Sequence, residues 1–267
     1  MHFVAAPDLA TALDAKAEHP DWELLAGGTD LMVEVNLAYH RPPGIISVRR
    51  CSELLEWGET RIGGAVTWSS LEHGSHQALA QLARTIGSPQ IRAAGTLGGN
   101  VATGSPAGDG LPWIAAMDGS IEVASRDRSR RTVPWDEFFV GVKQTALAPD
   151  EVITAIVVPD DAPAVQEFAK VGVRNAMVIA TVSCVVALGE DGFRVALGSV
   201  APTPVRAVGA EAMLNSASAI DESVLAEFAA MVSDEVRPIT DHRSTEAYRR
   251  HASGVLARRL VERCVAA

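Results

Sequence analysis

The 267-residue chain has only three cysteines, Cys51, Cys184 and Cys264, and no C-x-x-C pair. So few thiols build no disulfide framework and cannot give an iron–sulfur cluster its four thiolates. Cys184 sits in the apolar run 182–188 and reads as a small buried hydrophobe. A basic excess is also missing. The formal net charge is −10, which repels polyanions and argues against a nucleic-acid ligand. The arginines between Arg243 and Arg263 are interleaved with Glu246, Glu262 and apolar residues, the pattern of an amphipathic helix with a solvated or subunit-facing surface. Long hydrophobic runs are lacking. The most apolar window, 177–188, contains Thr181 and Ser183 and is too short to span a bilayer. The first residues carry Asp8 and Asp14 and no basic segment followed by an apolar one, so no signal peptide is expected and the expected location is the cytoplasm.

Three common motifs are absent as well. No G-x-G-x-x-G opens a βαβ unit, no G-x-x-x-x-G-K-[ST] occurs, and there is no G-x-S-x-G elbow. Rossmann, P-loop and nucleophile-elbow hydrolase readings therefore fail. His73 and His76 are separated by Gly74 and lack a third ligand, so they read as an exposed turn rather than a metal site.

What is present describes an ordered chain: 48% hydrophobic and 21% charged residues leave no compositional case for extensive disorder, and the length accommodates two domains. Asp8 caps a helix reaching about Lys16, with Leu9 and Leu13 on one face. Residues 22–25 read as a strand running into Gly27-Gly28. Thr29 and Asp30 then open a helix expected to carry Leu31, Val35 and Ala38 inward, and residues 45–48 form a buried strand. A second unit starts near Trp57, with a strand at 60–62, a helical stretch from Ser69 or Ser70 and a helix over 78–86. Residues 87–112, rich in Gly, Ser, Thr, Asn and Pro, are expected to lack regular structure. Strands follow at 121–124 and 152–158. Asp160-Asp161-Ala162-Pro163 marks the main boundary. Beyond it come strand candidates at 165–171, 178–188 and 193–200, then helices over about 207–215, 222–232 and 244–265. Strands followed by helices indicate α+β.

An irregular stretch of about 25 residues inside a compact domain usually signals function. At its centre, Gly95-Thr96-Leu97-Gly98-Gly99-Asn100 can set successive backbone N–H groups in a concave nest, because glycine tolerates positive φ and has no Cβ to block a ligand. Ala26-Gly27-Gly28-Thr29-Asp30-Leu31 can do the same at a strand-to-helix turn, where a helix N-terminus adds positive potential. Pyrophosphate suits two such nests, since backbone dipoles can carry an anion in an acidic chain. Each segment alone reads more readily as a tight turn.

Together the two segments, followed by Ser105-Pro106 and Asp109, resemble the FAD-binding medium subunit of the molybdenum hydroxylases, the xanthine dehydrogenase and carbon monoxide dehydrogenase family. The resemblance continues through Phe168-Ala169-Lys170, Arg174, the strand 179–187, the stretch from Gly198 to Arg206, and Tyr248-Arg249. It implies an α+β fold: a two-lobed FAD-binding domain over 1–163 (lobes about 1–57 and 58–163), then a domain over 164–267 with a three-stranded antiparallel sheet and helices. It also implies a site. Leu24, Leu25, Ala26, Gly27, Gly28, Thr29, Asp30 and Leu31, with Thr96, Leu97, Gly98, Gly99 and Asn100, would clasp the pyrophosphate and ribityl region. Ile86 and Ile153 would pack beside the isoalloxazine. Asp109 would accept hydrogen bonds from ribityl hydroxyls or loop N–H groups, or else serve as a turn residue in Ala107-Gly108-Asp109-Gly110. Lys170 would stabilise negative charge at the N1–C2=O edge of the reduced flavin, or else be a surface strand residue. The chain departs from some members over 175–178, where no carboxylate follows Arg174, and it lacks two aromatics often found near the flavin edge.

The resemblance implies a function too: electrons passing from partner [2Fe–2S] clusters through FAD to an acceptor such as NAD, O₂ or a quinone. No side chain is assigned as acid, base or nucleophile. With too few cysteines for clusters, the chain would need a small iron–sulfur subunit and a large molybdopterin subunit. No His or Cys lies in either glycine segment, so FAD is expected to be held non-covalently. A stand-alone FAD-dependent oxidoreductase and a non-catalytic flavin-binding assembly module are the alternatives.

Overall fold

The computed structural model describes residues 1–127, 130–175 and 177–267; Ala176, in the carboxylate-free stretch after Arg174, lies outside them. The first sheet is built from β1 (His2–Ala5), β2 (Glu23–Leu25) and β3 (Gly44–Ser47), with α1 (Leu9–Glu18) and α2 (Leu31–Asn36) between them. Its order is β1-β3-β2, and the central β3 pairs parallel with both neighbours. Asp8 caps α1 as expected, its Oδ1 accepting from Thr11 N at 2.8 Å. Leu9, Ala12 and Ala15 of α1 then pack on Ile46, Val48 and Cys51. The expected inward face of α2 is a different matter. No residue of α2 is buried, and Ala38 beyond it is exposed with a φ of 58°. Fewer than two helical turns cannot present a full apolar stripe to a core, and Leu31 instead faces a cavity.

The second sheet consists of β4 (Arg61–Gly63), β5 (Ser120–Ala124), β6 (Arg131–Pro134) and β9 (Val152–Val157), with β7 (Phe139–Gly141) and β8 (Gln144–Thr145) as a separate hairpin. The strand order β4-β9-β5-β6 is antiparallel throughout. Its helices are α3 (Trp68–Leu71), α4 (Gln77–Thr85), α5 (Pro89–Ala94), α6 (Leu97–Thr103), α7 (Gly110–Ala116) and α8 (Trp135–Phe138). Three of these, α5 to α7, occupy the region expected to be irregular. Capping explains them. Ser88 Oγ accepts from Ile91 N at 3.4 Å with Pro89 in the first turn, and Thr96 Oγ1 accepts from Gly99 N at 2.9 Å. Gly104, at a φ of 55°, stops α6, and Asn100 Oδ1 accepts from Gly110 N at 3.1 Å to open α7. With Leu97, Val101 and every residue of α7 buried, packing outweighs the low helix propensity of glycine.

The last unit comprises β10 (Val165–Val171), β11 (Val182–Gly189), β12 (Gly192–Gly198) and a two-residue β13 (Val205–Arg206), then α9 (Val208–Ser216), α10 (Glu222–Glu235) and α11 (Glu246–Ala266). The antiparallel sheet has the three long strands expected and one short addition. Along β11, Val182, Cys184 and Val186 join the helices' core while Val185 and Ala187 join the core of the second sheet, so both faces are covered. Strand β11 starts later than expected because residues 178–181 belong to the connection from β10. In α11, Arg249 is turned inward rather than outward: its guanidinium donates to Thr181 O at 2.6 Å, Ser199 O at 2.8 Å and Asp241 Oδ1 at 2.8 Å. All three cysteines are buried, which pushes the Cys51 thiol up to about 11 and that of Cys264 to about 12. Among the described residues, no helix is long and apolar enough to cross a membrane.

Candidate functional site

A cavity of about 660 Å³ opens where the first sheet, the second sheet and the β10–β11 connection meet. Strand β2 delivers the chain to one wall, where Leu24, Leu25, Ala26, Gly27, Gly28, Thr29, Asp30 and Leu31 all line it. Thr96, Gly98, Gly99 and Asn100, at the start of α6, line the facing wall, and Ile86 and Ile153 contribute apolar surface. Of the expected site residues, Leu97, Asp109 and Lys170 do not line the cavity. Leu97 is fully buried in the core beneath α6 and supplies only its place in the backbone.

The two glycine segments touch each other. A Cβ on Gly27 would stand 2.0 Å from Ala94 O and 2.7 Å from Gly95 Cα, and one on Gly98 would stand 2.2 Å from Gly64 O. These glycines are thus required by backbone-on-backbone packing, a reason the sequence reading had assigned to ligand approach. Gly28 has a φ of 70°, where an L side chain is strained. Gly99 differs: a Cβ there would meet only Thr96 Oγ1, at 3.0 Å. Among the described residues, the backbone N–H groups of Gly27, Gly28, Thr29, Asp30 and Gly98 donate to no protein acceptor. Backbone donors need partners, and all five of these residues line the cavity. With α2 only six residues long, these individual N–H groups matter more than any helix dipole.

Ionisable side chains at the cavity already have partners. His40 Nε2 lies 2.9 Å from Glu23 Oε1, Lys143 Nζ donates to Glu34 Oε1 at 3.2 Å, and Asp30 Oδ2 accepts from Thr103 Oγ1 at 3.0 Å. The lining residues Glu34, His40, Lys143, Thr103 and Ile179 were not foreseen. Lys143 lies in the β7–β8 hairpin with a φ of 53°, and Ile179 reaches in from beyond the Pro163 boundary. Neither position carries a motif, and only the three-dimensional meeting of the units reveals them.

Asp109 and Lys170 form a buried ion pair, Nζ to Oδ2 at 2.6 Å, with both side chains 7% exposed. Lys170 is therefore not a surface strand residue. Burial pushes the Asp109 carboxyl up, and the Lys170 ammonium pulls it back. The remaining oxygen, Asp109 Oδ1, is buried without a hydrogen-bond partner. His76 is fixed by contacts to Glu59 O at 2.6 Å and Gln166 at 3.3 Å, edge-on to Trp113. Among the described residues no cluster of three or more His, Cys, Asp or Glu side chains is placed to hold a metal ion.

Residues 1–161 match the family described as the FAD binding domain in molybdopterin dehydrogenase, and residues 167–264 match the CO dehydrogenase flavoprotein C-terminal domain. The chain belongs to the FAD-binding medium-subunit family of the molybdenum hydroxylases. It is 32% identical to a putative xanthine dehydrogenase FAD-binding subunit of Escherichia coli, over 98% of this chain and 95% of that protein. It is also 32% identical to the carbon monoxide dehydrogenase medium chain of Hydrogenophaga pseudoflava, over 90% of this chain and 88% of the relative. A solved structure of carbon monoxide dehydrogenase from Hydrogenophaga pseudoflava superposes with a TM-score of 0.90 at 29% identity, covering 100% of this chain and 97% of the other. Membership in the FAD-binding medium-subunit family makes the chain a flavoprotein component of an oxidoreductase, with FAD as its cofactor.

Proposed function

We propose that this chain holds FAD non-covalently in the cavity between its glycine segments and serves as the electron-transfer subunit of a molybdenum hydroxylase. The observation that carries the reading is that five residues whose N–H groups have no protein acceptor, Gly27 to Asp30 and Gly98, line one cavity of about 660 Å³. That volume lies within the roughly 300–1,000 Å³ of small-molecule and cofactor sites. These N–H groups would hold the pyrophosphate, aided by Thr96, which caps the first turn of α6, and by Asn100, which opens α7. Ile86, Ile153 and Ile179 would form the apolar wall beside the isoalloxazine, excluding water from it. When bound, FAD supplies a store for two electrons that can be filled one at a time. The chain's own part is to bind and orient. Its three cysteines are all buried and too few to ligate a cluster, so a small iron–sulfur subunit would deliver electrons and a large molybdopterin subunit would oxidise the substrate. The acceptor would be NAD, O₂ or a quinone. We further propose residues 1–163 as the cofactor-binding unit, with lobes 1–57 and 58–163, and 164–267 as its C-terminal partner.

The test is purification of the chain alone and with its co-encoded subunits. Expected are stoichiometric FAD on the chain, release of all flavin on acid precipitation, and flavin reduction by substrate only in the complex with iron–sulfur and molybdenum subunits. Anaerobic reduction of the isolated chain by a substrate would instead show a stand-alone flavoenzyme. A flavin that stays oxidised within the intact complex would show an assembly module.

A further inference from the structure

A second cavity, of about 530 Å³, lies where the second sheet meets the C-terminal unit, and it shares no lining residue with the first. One side comes from Asp118, after α7, and from Trp135 and Asp136 of α8; the other comes from Arg206 of β13 and from Val208 and Glu211 of α9. Its charges are unequal, three carboxylates against one guanidinium. That guanidinium is already committed. Arg206 Nε and Nη2 donate to the two oxygens of Glu211, each at 2.7 Å, and Nη1 donates to Asp118 Oδ1 at 3.0 Å and Ala115 O at 3.2 Å. An anion entering here would have to displace one of these carboxylates. The carboxylates are less fully used. The Asp118 side chain is 50% exposed. Asp136 is exposed and, among the described residues, has no hydrogen-bond or ion-pair partner. It does not cap α8 either, whose first turn has no side-chain cap. The Trp135 indole is oriented by its Nε1, which donates to Asp118 Oδ1 at 3.4 Å, and Val208 adds an aliphatic side chain 62% exposed.

We propose that this cavity is the docking site for a basic side chain of a partner subunit, which would bind across the second sheet and the C-terminal unit at once. The proposal rests on the reading of the chain as one subunit of a hetero-oligomer. A lysine or arginine side chain matches the lining at each point: its stem packs on apolar surface such as Val208, and its head meets carboxylate and indole together. The rim is open to solvent, so little encloses a free small cation. A side chain carried on a protein surface brings the rest of an interface with it, and a tryptophan facing a cation is the kind of contact that dominates such interfaces.

The experiment uses the full chain and its co-encoded subunits. Association is titrated at low and high salt for wild type, Asp136→Lys, Val208→Lys, the conservative Asp136→Glu and a control, Glu227→Lys, on the exposed face of α10. FAD binding and thermal unfolding of each chain alone are recorded alongside. Asp136→Lys and Val208→Lys should associate at least tenfold more weakly, and Asp136→Glu and Glu227→Lys within threefold of wild type. Wild-type association should fall more steeply with salt than that of Asp136→Lys, which has lost the pair that salt screens. FAD affinity and unfolding temperature should stay at wild type, since the substituted side chains are exposed and none lines the cofactor cavity. A wild-type chain that does not associate refutes the subunit reading, and the docking site with it. Association of wild type with undiminished association of Asp136→Lys and Val208→Lys leaves the subunit reading standing and refutes the docking site. A loss confined to one of these two positions would also overturn it, because both flank a single cavity. So would an equal loss in Glu227→Lys, which would mark only the overall negative charge of the chain. A wild-type chain that dimerises alone and turns monomeric in Asp136→Lys would overturn it as well, the occupant then being a second copy.

Discussion

Replacing Gly27 with alanine puts a Cβ 2.0 Å from Ala94 O, 2.6 Å from Ala94 C and 2.7 Å from Gly95 Cα, all of them backbone atoms. No side chain can swing aside, so the two glycine segments must separate. Overpacking of this kind costs about 1–3 kcal/mol, and with only backbone to yield the upper part of that range applies. For a chain of this size about 2–3 kcal/mol corresponds to a fall of roughly 5–10 °C in unfolding temperature. The paired substitution is Gly99→Ala, whose Cβ meets only Thr96 Oγ1 at 3.0 Å. Gly99 lies in α6, where alanine is favoured over glycine by about 1 kcal/mol, so the apo-protein should keep or gain stability. If the FAD pyrophosphate rests against this turn, the same methyl should weaken FAD at least tenfold. Thermal unfolding with and without FAD, together with a fluorescence titration, separates the two effects. Gly27→Ala should lose both stability and FAD; Gly99→Ala should lose FAD alone. A Gly99→Ala variant binding FAD like wild type would refute the close approach of the cofactor to α6. A Gly27→Ala variant as stable as wild type would refute the contact between the segments.

Two further outcomes follow from individual polar groups. Ser183 Oγ is buried without a partner, and Ser183→Ala should stabilise the chain by about 1 kcal/mol, since an unsatisfied hydroxyl is costly to bury; a loss of stability in denaturant titration would show that the hydroxyl is satisfied. Burial opposes the ionisation of Asp241, but donors from Arg243 N, Arg249 and Ser244 N outweigh it and hold its carboxyl down at about 2. A depressed carboxyl contributes stability that is full above its unfolded pKa, near 4, and is lost as pH falls through its folded one. Asp241→Asn should therefore remove part of the acid sensitivity between about pH 4 and pH 2, and an unchanged pH profile of unfolding would count against the assignment.

How much of this was legible in the sequence depended on whether the cause was local. Asp8 was readable because a cap acts within three residues, and Arg61–Gly63, Val152–Val157 and Val165–Val171 were readable as short apolar strands. The region after Ile86 was misread because glycine and serine counts suggest a loop, while Ser88, Thr96 and Asn100 act there as caps on helices whose buried faces hold them in place. Arg249 was misread because its acceptors, Thr181 O and Ser199 O, lie 68 and 50 residues away in sequence. The two glycine segments were recognised as one site, yet the contact of Gly27 with Ala94 could not be seen without coordinates. Asp109 and Lys170 were each read as neighbours of a ligand; that they face each other is a property of the sheet register and the start of α7.

The same comparison explains how a chain with a net charge of −10 can hold a dinucleotide. The basic side chains at the cavity, His40 and Lys143, already face Glu23 and Glu34, and Lys170 is committed to Asp109 behind the wall. A site built on those side chains would first have to break an existing contact with a carboxylate for every contact it made with phosphate. Backbone N–H groups carry no such counter-charge. They are also held by the packing of Gly27 on Ala94 and of Gly98 on Gly64, so little order remains to be imposed when a ligand arrives. The glycines thus do two jobs through one absence. Lacking Cβ atoms, they let the two walls close on each other, and the closure leaves their N–H groups without partners except for what enters the cavity.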